Sequence, residues 1–190
     1  MKRIPTLFLA LALAACSGHT LTTVRVKVDT YVPDVYRSGQ LNLTTATLFL
    51  PDDDDDGTYG NDPDGLALEL PKLDILERAR LRTRLSLKNT GSVAASVSLE
   101  VHVAPPGDGM IYDGSRDYTV LAGSVTLDPG EEKPLDLEAT LGEADPAFGL
   151  LKGGGFRVGL AVRLAGDTVN YTLEEADVSL SGRLFKAIPD

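Results

Sequence analysis

From Leu21 onward, apolar residues recur at every second position, the period of a β-strand that buries one face. Val24, Val26 and Val28 alternate with Arg25, Lys27 and Asp29. Leu41, Leu43, Thr45, Thr47 and Phe49 form a second row, and Leu66, Leu68 and Leu70 a third. Leu81, Thr83, Leu85 and Leu87 alternate with Arg82, Arg84, Ser86 and Lys88. In the clearest row, Val93, Ala95, Val97, Leu99, Val101 and Val103 are separated only by small or polar residues. Further strands are expected over 118–127, 135–141, 156–164, 169–173 and 178–184, while 72–78 is ambiguous. No stretch carries helical spacing over several turns.

Turn chemistry separates these rows. Asn89-Thr90-Gly91, Pro105-Pro106-Gly107-Asp108-Gly109 and Asp128-Pro129-Gly130 favour tight reversals, and Gly166-Asp167 suits a two-residue hairpin. Asp145-Pro146 begins the one plausible helical turn, with Asp as cap and Pro in the first turn, and Gly153-Gly154-Gly155 ends it. About ten short strands at this spacing predict an all-β fold, a sandwich of two antiparallel sheets. Two segments resemble immunoglobulin-like modules of bacterial surface proteins: Leu85-Ser86-Leu87-Lys88-Asn89-Thr90-Gly91-Ser92 running into the next row, and Val125-Thr126-Leu127-Asp128-Pro129-Gly130-Glu131. The resemblance implies an immunoglobulin-like antiparallel β-sandwich over residues 23–188. It departs from antibody domains, since there are no paired cysteines and no Trp.

Composition narrows the function classes. At 190 residues there is room for one domain, and the formal net charge of -10 repels nucleic acid and anionic headgroups alike. Aromatic residues are only 6%, so the core rests on Val, Leu and Ala, a poor stock for an aromatic-lined carbohydrate cleft. A single cysteine rules out an internal disulfide and a Cys-rich metal site.

That cysteine stands at the end of a leader. Lys2 and Arg3 precede an apolar run from Ile4 through Ala12, too short for a permanent membrane helix, followed by Leu13-Ala14-Ala15-Cys16. These four residues resemble the lipobox of bacterial lipoproteins. The resemblance implies a cleaved signal peptide over 1–15, a diacylglyceryl group on the Cys16 thiol, an acylated new amino terminus, and a short tether over 16–22. With Ser17 rather than Asp after the cysteine, it also implies the outer membrane or cell surface in preference to the inner membrane.

Candidate chemistry is sparse. Asp52, Asp54, Asp56 and Gly57 match the start of a calcium loop, but Pro63 stands where the bidentate Glu of an EF-hand belongs. Asp62 and Asp64 are placed to complete a different calcium cage with Asp52, Asp54 and Asp56; the alternative is a solvated acidic hairpin loop. His102 alternates away from Val101 and Val103, which predicts a satisfied surface histidine. Adjacent Glu131-Glu132 and Glu174-Glu175 point to opposite strand faces and do not form a glycosidase pair. Arg78, Arg80, Arg82 and Arg84 share one strand face, suited to an acidic partner, to the Asp-rich loop or simply to solvent.

The sequence therefore predicts a membrane-anchored envelope lipoprotein. Its expected role is that of a non-catalytic structural or protein-interaction module whose partners are the membrane, through the lipid on Cys16, and another envelope protein. A calcium-binding surface module is the second reading, and an exported hydrolase the remote third.

Overall fold

The computed structural model describes residues 21–31, 34–42, 47–50, 60–69 and 72–183. Ten strands run in chain order: β1 (Leu21–Lys27), β2 (Ser38–Leu41), β3 (Leu48–Leu50), β4 (Leu66–Glu69), β5 (Leu76–Asn89), β6 (Ala95–Ala104), β7 (Tyr118–Leu127), β8 (Glu132–Leu141), β9 (Gly155–Ala165) and β10 (Val169–Arg183). Among the described residues, a 3-10 turn (Val28–Tyr31) and two α-helices accompany them, the single turn α1 (Asp34–Arg37) and α2 (Pro146–Gly153).

The strands form the expected pair of antiparallel sheets. One sheet runs β1-β10-β5-β8, with β2 also pairing β10; the other runs β3-β9-β6-β7, with β4 also pairing β9. β1 and β2 lie end to end along opposite halves of β10, through Val24↔Leu180 and Gly39↔Tyr171. Likewise β3 and β4 lie end to end along β9, through Phe49↔Ala161 and Ala67↔Arg157. Counting each end-to-end pair as one strand gives two four-stranded sheets in the order of a double Greek key, a jelly roll. The immunoglobulin-like expectation thus holds as a two-sheet antiparallel sandwich, and the strand order adds what turn motifs do not specify.

Several local expectations are revised by this connectivity. The single row from Leu41 to Phe49 is divided between sheets, with Leu41 opposite Val169 and Leu48 opposite Val162. Gly166-Asp167 joins no hairpin, because β9 and β10 belong to different sheets and the turn carries the chain across. The rows over 169–173 and 178–184 merge into one strand, interrupted by a bulge between Leu173 and Glu175. Residues 72–78 turn and then become strand at Leu76. In each case the inner faces of both sheets are apolar, so alternation marks the buried face without marking the sheet.

Two core clusters fill the sandwich. One, built on Leu85, Leu87, Val97, Leu99, Leu127 and Val169, lies toward the end where the chain crosses at Asn89. The other, with Leu76, Ala79, Val103 and Leu141, is covered by α2 through Ala147, Phe148 and Leu151. Pro146 opens α2 as expected, and Gly154 ends it at φ 83°, its N–H donating to Leu150 and Leu151 carbonyls at 3.2 and 3.3 Å. Asp145 does not cap with its side chain; its carboxylate accepts instead the N–H of Gly142 at 2.8 Å.

At the opposite end, three crossings are bonded to one another. Asn89, fully buried, donates through Nδ2 to the carbonyls of Val93 at 2.8 Å and Leu127 at 3.1 Å, while its Oδ1 accepts the N–H of Gly91 at 2.9 Å. Its backbone N–H donates to Glu131 and its carbonyl accepts from Gly130, and Thr90 N–H donates to Thr168. Asp167 draws the 166–168 turn onto the 90–94 turn by accepting N–H groups of Ser92, Val93 and Thr168. Those backbone donors hold its carboxyl at about 2, below the usual 3.8.

Asn89→Ala strips buried carbonyls and an N–H of their partners, and is expected to cost about 3 kcal/mol in chemical denaturation, against a near-neutral effect for Thr90→Ser. For Asp167, the depressed folded pKa means that its stabilising contribution is complete above 3.8 and is lost as pH falls through about 2. Acid titrations of unfolding should show Asp167→Ala below wild type near neutrality, with the difference closing across that interval.

Candidate functional site: an apolar cavity between the sheets

The inner rows do not meet everywhere. Between the sheets lies a cavity of about 650 Å³. Its walls are Leu81, Leu85 and Leu87 of β5 and Leu173, Ala176 and Val178 of β10, faced by Val97, Leu99 and Val101 of β6 and Leu160 and Val162 of β9. Leu41 of β2, Leu48 and Leu50 of β3, Leu66 of β4 and Tyr36 of α1 complete it along one edge. Leu66 is 41% exposed although it lines the cavity, and Val35, beside Tyr36, is 73% exposed, so the described residues leave the cavity accessible at this edge. The described strands flanking it are only three or four residues long.

The lining is aliphatic. Arg82 and Asp177 border the cavity, but their charged groups are engaged with Glu175 and Arg25. Water gains few hydrogen bonds in such a space. Apolar lining that stays in contact with water forgoes about 25 cal/mol for each Å² left unburied. A bound apolar molecule relieves that cost. The volume also falls within the ~300–1,000 Å³ of small-molecule sites.

The residues singled out from sequence distribute differently. Cys16, Asp52, Asp54 and Asp56 lie outside the described residues. Asp62 is buried, 7% exposed, and its Oδ1 accepts the N–H of Asp64 at 3.1 Å. The Asp64 carboxylate pairs with the Arg157 guanidinium, which also donates to the carbonyl of Gly65 at 2.9 Å. Burial, with the neighbouring Asp62, pushes the Asp64 carboxyl up against the opposing pull of Arg157. Among the described residues, no group of three or more His, Cys, Asp or Glu is arranged to hold a metal ion.

His102 is satisfied, as its strand position suggested, but it is not at the surface. The 105–117 connection folds over this outer face of β6, bringing Tyr112 and Asp117 onto the ring and leaving the residue 7% exposed. Its Nδ1 lies 2.6 Å from Asp117 and its Nε2 3.4 Å from Glu100, which also faces Arg163 at 3.7 Å. Tyr112 packs between this ring and Phe49 and donates to the Leu50 carbonyl at 3.4 Å; burial pushes its phenol pKa up. With both imidazole nitrogens facing carboxylates, the histidine is not poised to activate a hydroxyl, and the cluster ties β6 to the 105–117 connection.

The arginine row finds its partners on neighbouring strands. Arg80 donates to Glu138 through two nitrogens at 2.9 and 2.7 Å, Arg84 pairs with Asp136, and Arg82 and Arg25 share Glu175. The arginines hold Asp136 and Glu138 below the ordinary carboxylate range. This exposed face of the sheet is a cross-strand ion ladder, and cross-strand pairs of this kind fix register more than they add stability.

The fold and the cavity define the class: a jelly-roll sandwich with an apolar interior site. Comparison with known proteins goes no further. No family model matches the chain. No curated protein matches it either. Among solved structures, the Gx strain of infectious bursal disease virus matches at 7% identity and TM-score 0.42, over 89% of this chain and 33% of that one. Eiger TNF from S. frugiperda matches at 15% and 0.33, over 56% and 59%, and a CocE/NonD family hydrolase from Staphylococcus aureus at 8% and 0.37, over 85% and 36%. The chain spans about a third of the viral chains, and likenesses this remote add nothing to the strand order already described.

If the cavity is underfilled by the protein itself, added hydrocarbon should stabilise the delipidated chain. Ala176→Leu is expected to raise unfolding free energy by about 1–2 kcal/mol in denaturant titration, whereas Leu99→Ala, which enlarges the void, is expected to lower it by about 3 kcal/mol.

Proposed function

We propose that this protein is a lipid-anchored, non-catalytic binding module of the bacterial cell envelope, held through acyl chains on Cys16 at the outer membrane or cell surface. The leader supports the anchor. The observation that carries the binding role is the aliphatic cavity between the sheets, bordered at one edge by Tyr36 and the partly exposed Leu66. An interior of this kind favours retention of an apolar small molecule over bond-making chemistry, which needs polar groups aimed at a reacting atom.

Contact with another envelope protein is a second role for the same module. It is favoured by β1, the outermost of the described strands in its sheet, where Leu21 and Val24 are 49% and 56% exposed. Cys16 precedes the start of β1 by only a few residues, so either role is exercised close to the membrane.

Fractionation of cells fed labelled palmitate tests the anchor. Wild type should carry the label and sediment with membranes; Cys16→Ser should lose the label and leave the lipid-anchored fraction. An unlabelled wild-type protein in the soluble fraction would overturn the reading.

A further inference from the structure

We propose that Asp108-Gly109 is a site of self-modification, at which the Asp108 side chain closes on the Gly109 amide nitrogen and reopens as isoaspartate. The site lies in the 105–117 connection, apart from the cavity and the anchor.

Four Asp-Gly pairs stand in the sequence, at 56–57, 64–65, 108–109 and 113–114. Glycine leaves the amide after each aspartate uncrowded by a side chain, so local structure decides which pair reacts. The pair at 56–57 lies outside the described residues, and the other three sit in different surroundings.

At 64–65 the peptide is clamped. The Arg157 guanidinium holds the Asp64 carboxylate and donates to the Asp64 and Gly65 carbonyls. A Cβ added to Gly65 would stand 2.7 Å from the Val158 carbonyl oxygen, so this backbone has no room to rotate. At 113–114 the Asp113 carboxylate accepts the Ser115 N–H at 2.8 Å, while the Gly114 N–H donates to Asp117 at 2.6 Å. Asp117 is itself bonded to His102, and the Gly114 peptide is held with its edge to Asp117 rather than its face to the Asp113 carboxyl.

Asp108 is arranged otherwise. Its Oδ1 accepts the Met110 N–H at 3.1 Å, a turn that folds the carboxyl carbon back over the Gly109 amide. The Gly109 N–H has no partner among the described residues, and nothing lies within 4 Å of a Cβ added at Gly107 or Gly109. Oδ2 is buried without a hydrogen bond, in a residue only 7% exposed. One turn therefore brings together a free amide, a carboxyl polarised by an N–H, and an oxygen that no bond retains.

Both steps balance. The Gly109 nitrogen bonds to the Asp108 carboxyl carbon, and Oδ2 leaves as water with the acid proton and the amide proton, giving a five-membered imide. Water then adds at the carbon that was the Asp108 backbone carbonyl; its bond to nitrogen breaks and a proton returns to nitrogen. The main chain now runs through the former side chain, one methylene longer, and the new carboxylate projects from the Asp108 Cα. An unpartnered buried oxygen, which is costly to keep, has been removed. Open space around Gly107 and Gly109 accepts the longer chain, while Ile111 stays held through its N–H to the Pro63 carbonyl.

The test follows the full-length protein, kept folded at neutral pH in heavy-oxygen water. Each passage through the imide takes up one heavy oxygen, and electron-transfer fragmentation of the peptides distinguishes isoaspartate from aspartate at each position. Label and isoaspartate are expected at Asp108 at least about tenfold faster than at Asp64 or Asp113, with the melting temperature unchanged. In denaturant, where every amide is free, the three rates should converge. Gly109→Ala crowds the nitrogen and should slow Asp108 about tenfold; Met110→Pro removes the polarising N–H and should slow it as well. Both changes fall at positions open to solvent, so the fold is retained. Equal rates at the three sites in the folded protein, faster labelling of Asp64 or Asp113, or undiminished labelling of Asp108 in both variants would overturn the proposal.

Discussion

Three crossings from one sheet to the other, at 90–94, 128–131 and 166–168, are tied together around one buried side chain, Asn89. A jelly roll places sequence neighbours in opposite sheets, so nearly every strand must find partners far along the chain: β1 pairs β10, and β5 pairs both β8 and β10. Such a topology stores little information in local pairing. Among the described strands, only β6 and β7 are consecutive and hydrogen-bond to each other. The knot of hydrogen bonds at Asn89, reinforced by Asp167, sets where β5, β7 and β9 end and where the strands after them begin. Register across both sheets follows from it.

The cavity is a consequence of the same architecture. Two twisted sheets held close at the Asn89 end and plugged by Phe148 at the other must separate somewhere along their length unless large side chains fill the space. This chain has few aromatics, and Phe148 and Phe156 belong to the cluster under α2. The middle of the sandwich is left to Leu and Val, and along the edge the split outer strands β2, β3 and β4 are only three or four residues long. Shortage of aromatic volume thereby leaves a cavity in an otherwise packed core.

The charged residues separate from this interior. On the outer face of the β1-β10-β5-β8 sheet, arginines of β1 and β5 alternate with carboxylates of β8 and β10, so a row that read as a basic patch is neutralised within the fold. His102 illustrates the converse. Period-two alternation places it on the outer face of its sheet, but the 105–117 connection covers that face, so the ring is buried with Asp117 and Glu100 beside it.

Alternation and turn chemistry by themselves determined that the body is all-β, that it is a two-sheet sandwich, that Asn89, Pro129 and Gly166 lie at reversals, and that a short helix runs from Pro146 to the glycines at 153–155. These properties depend on neighbours in the chain, through backbone preference and the period of burial. Which sheet each strand joins, the merging of 169–183 into one strand, the covering of His102 by the 105–117 connection, the pairing of Asp64 with Arg157 and the cavity between the sheets were decided only in three dimensions. Each depends on which distant side chains meet across a sheet or between sheets, and on the volume they fail to fill, and a one-dimensional pattern of apolar and polar positions carries neither quantity.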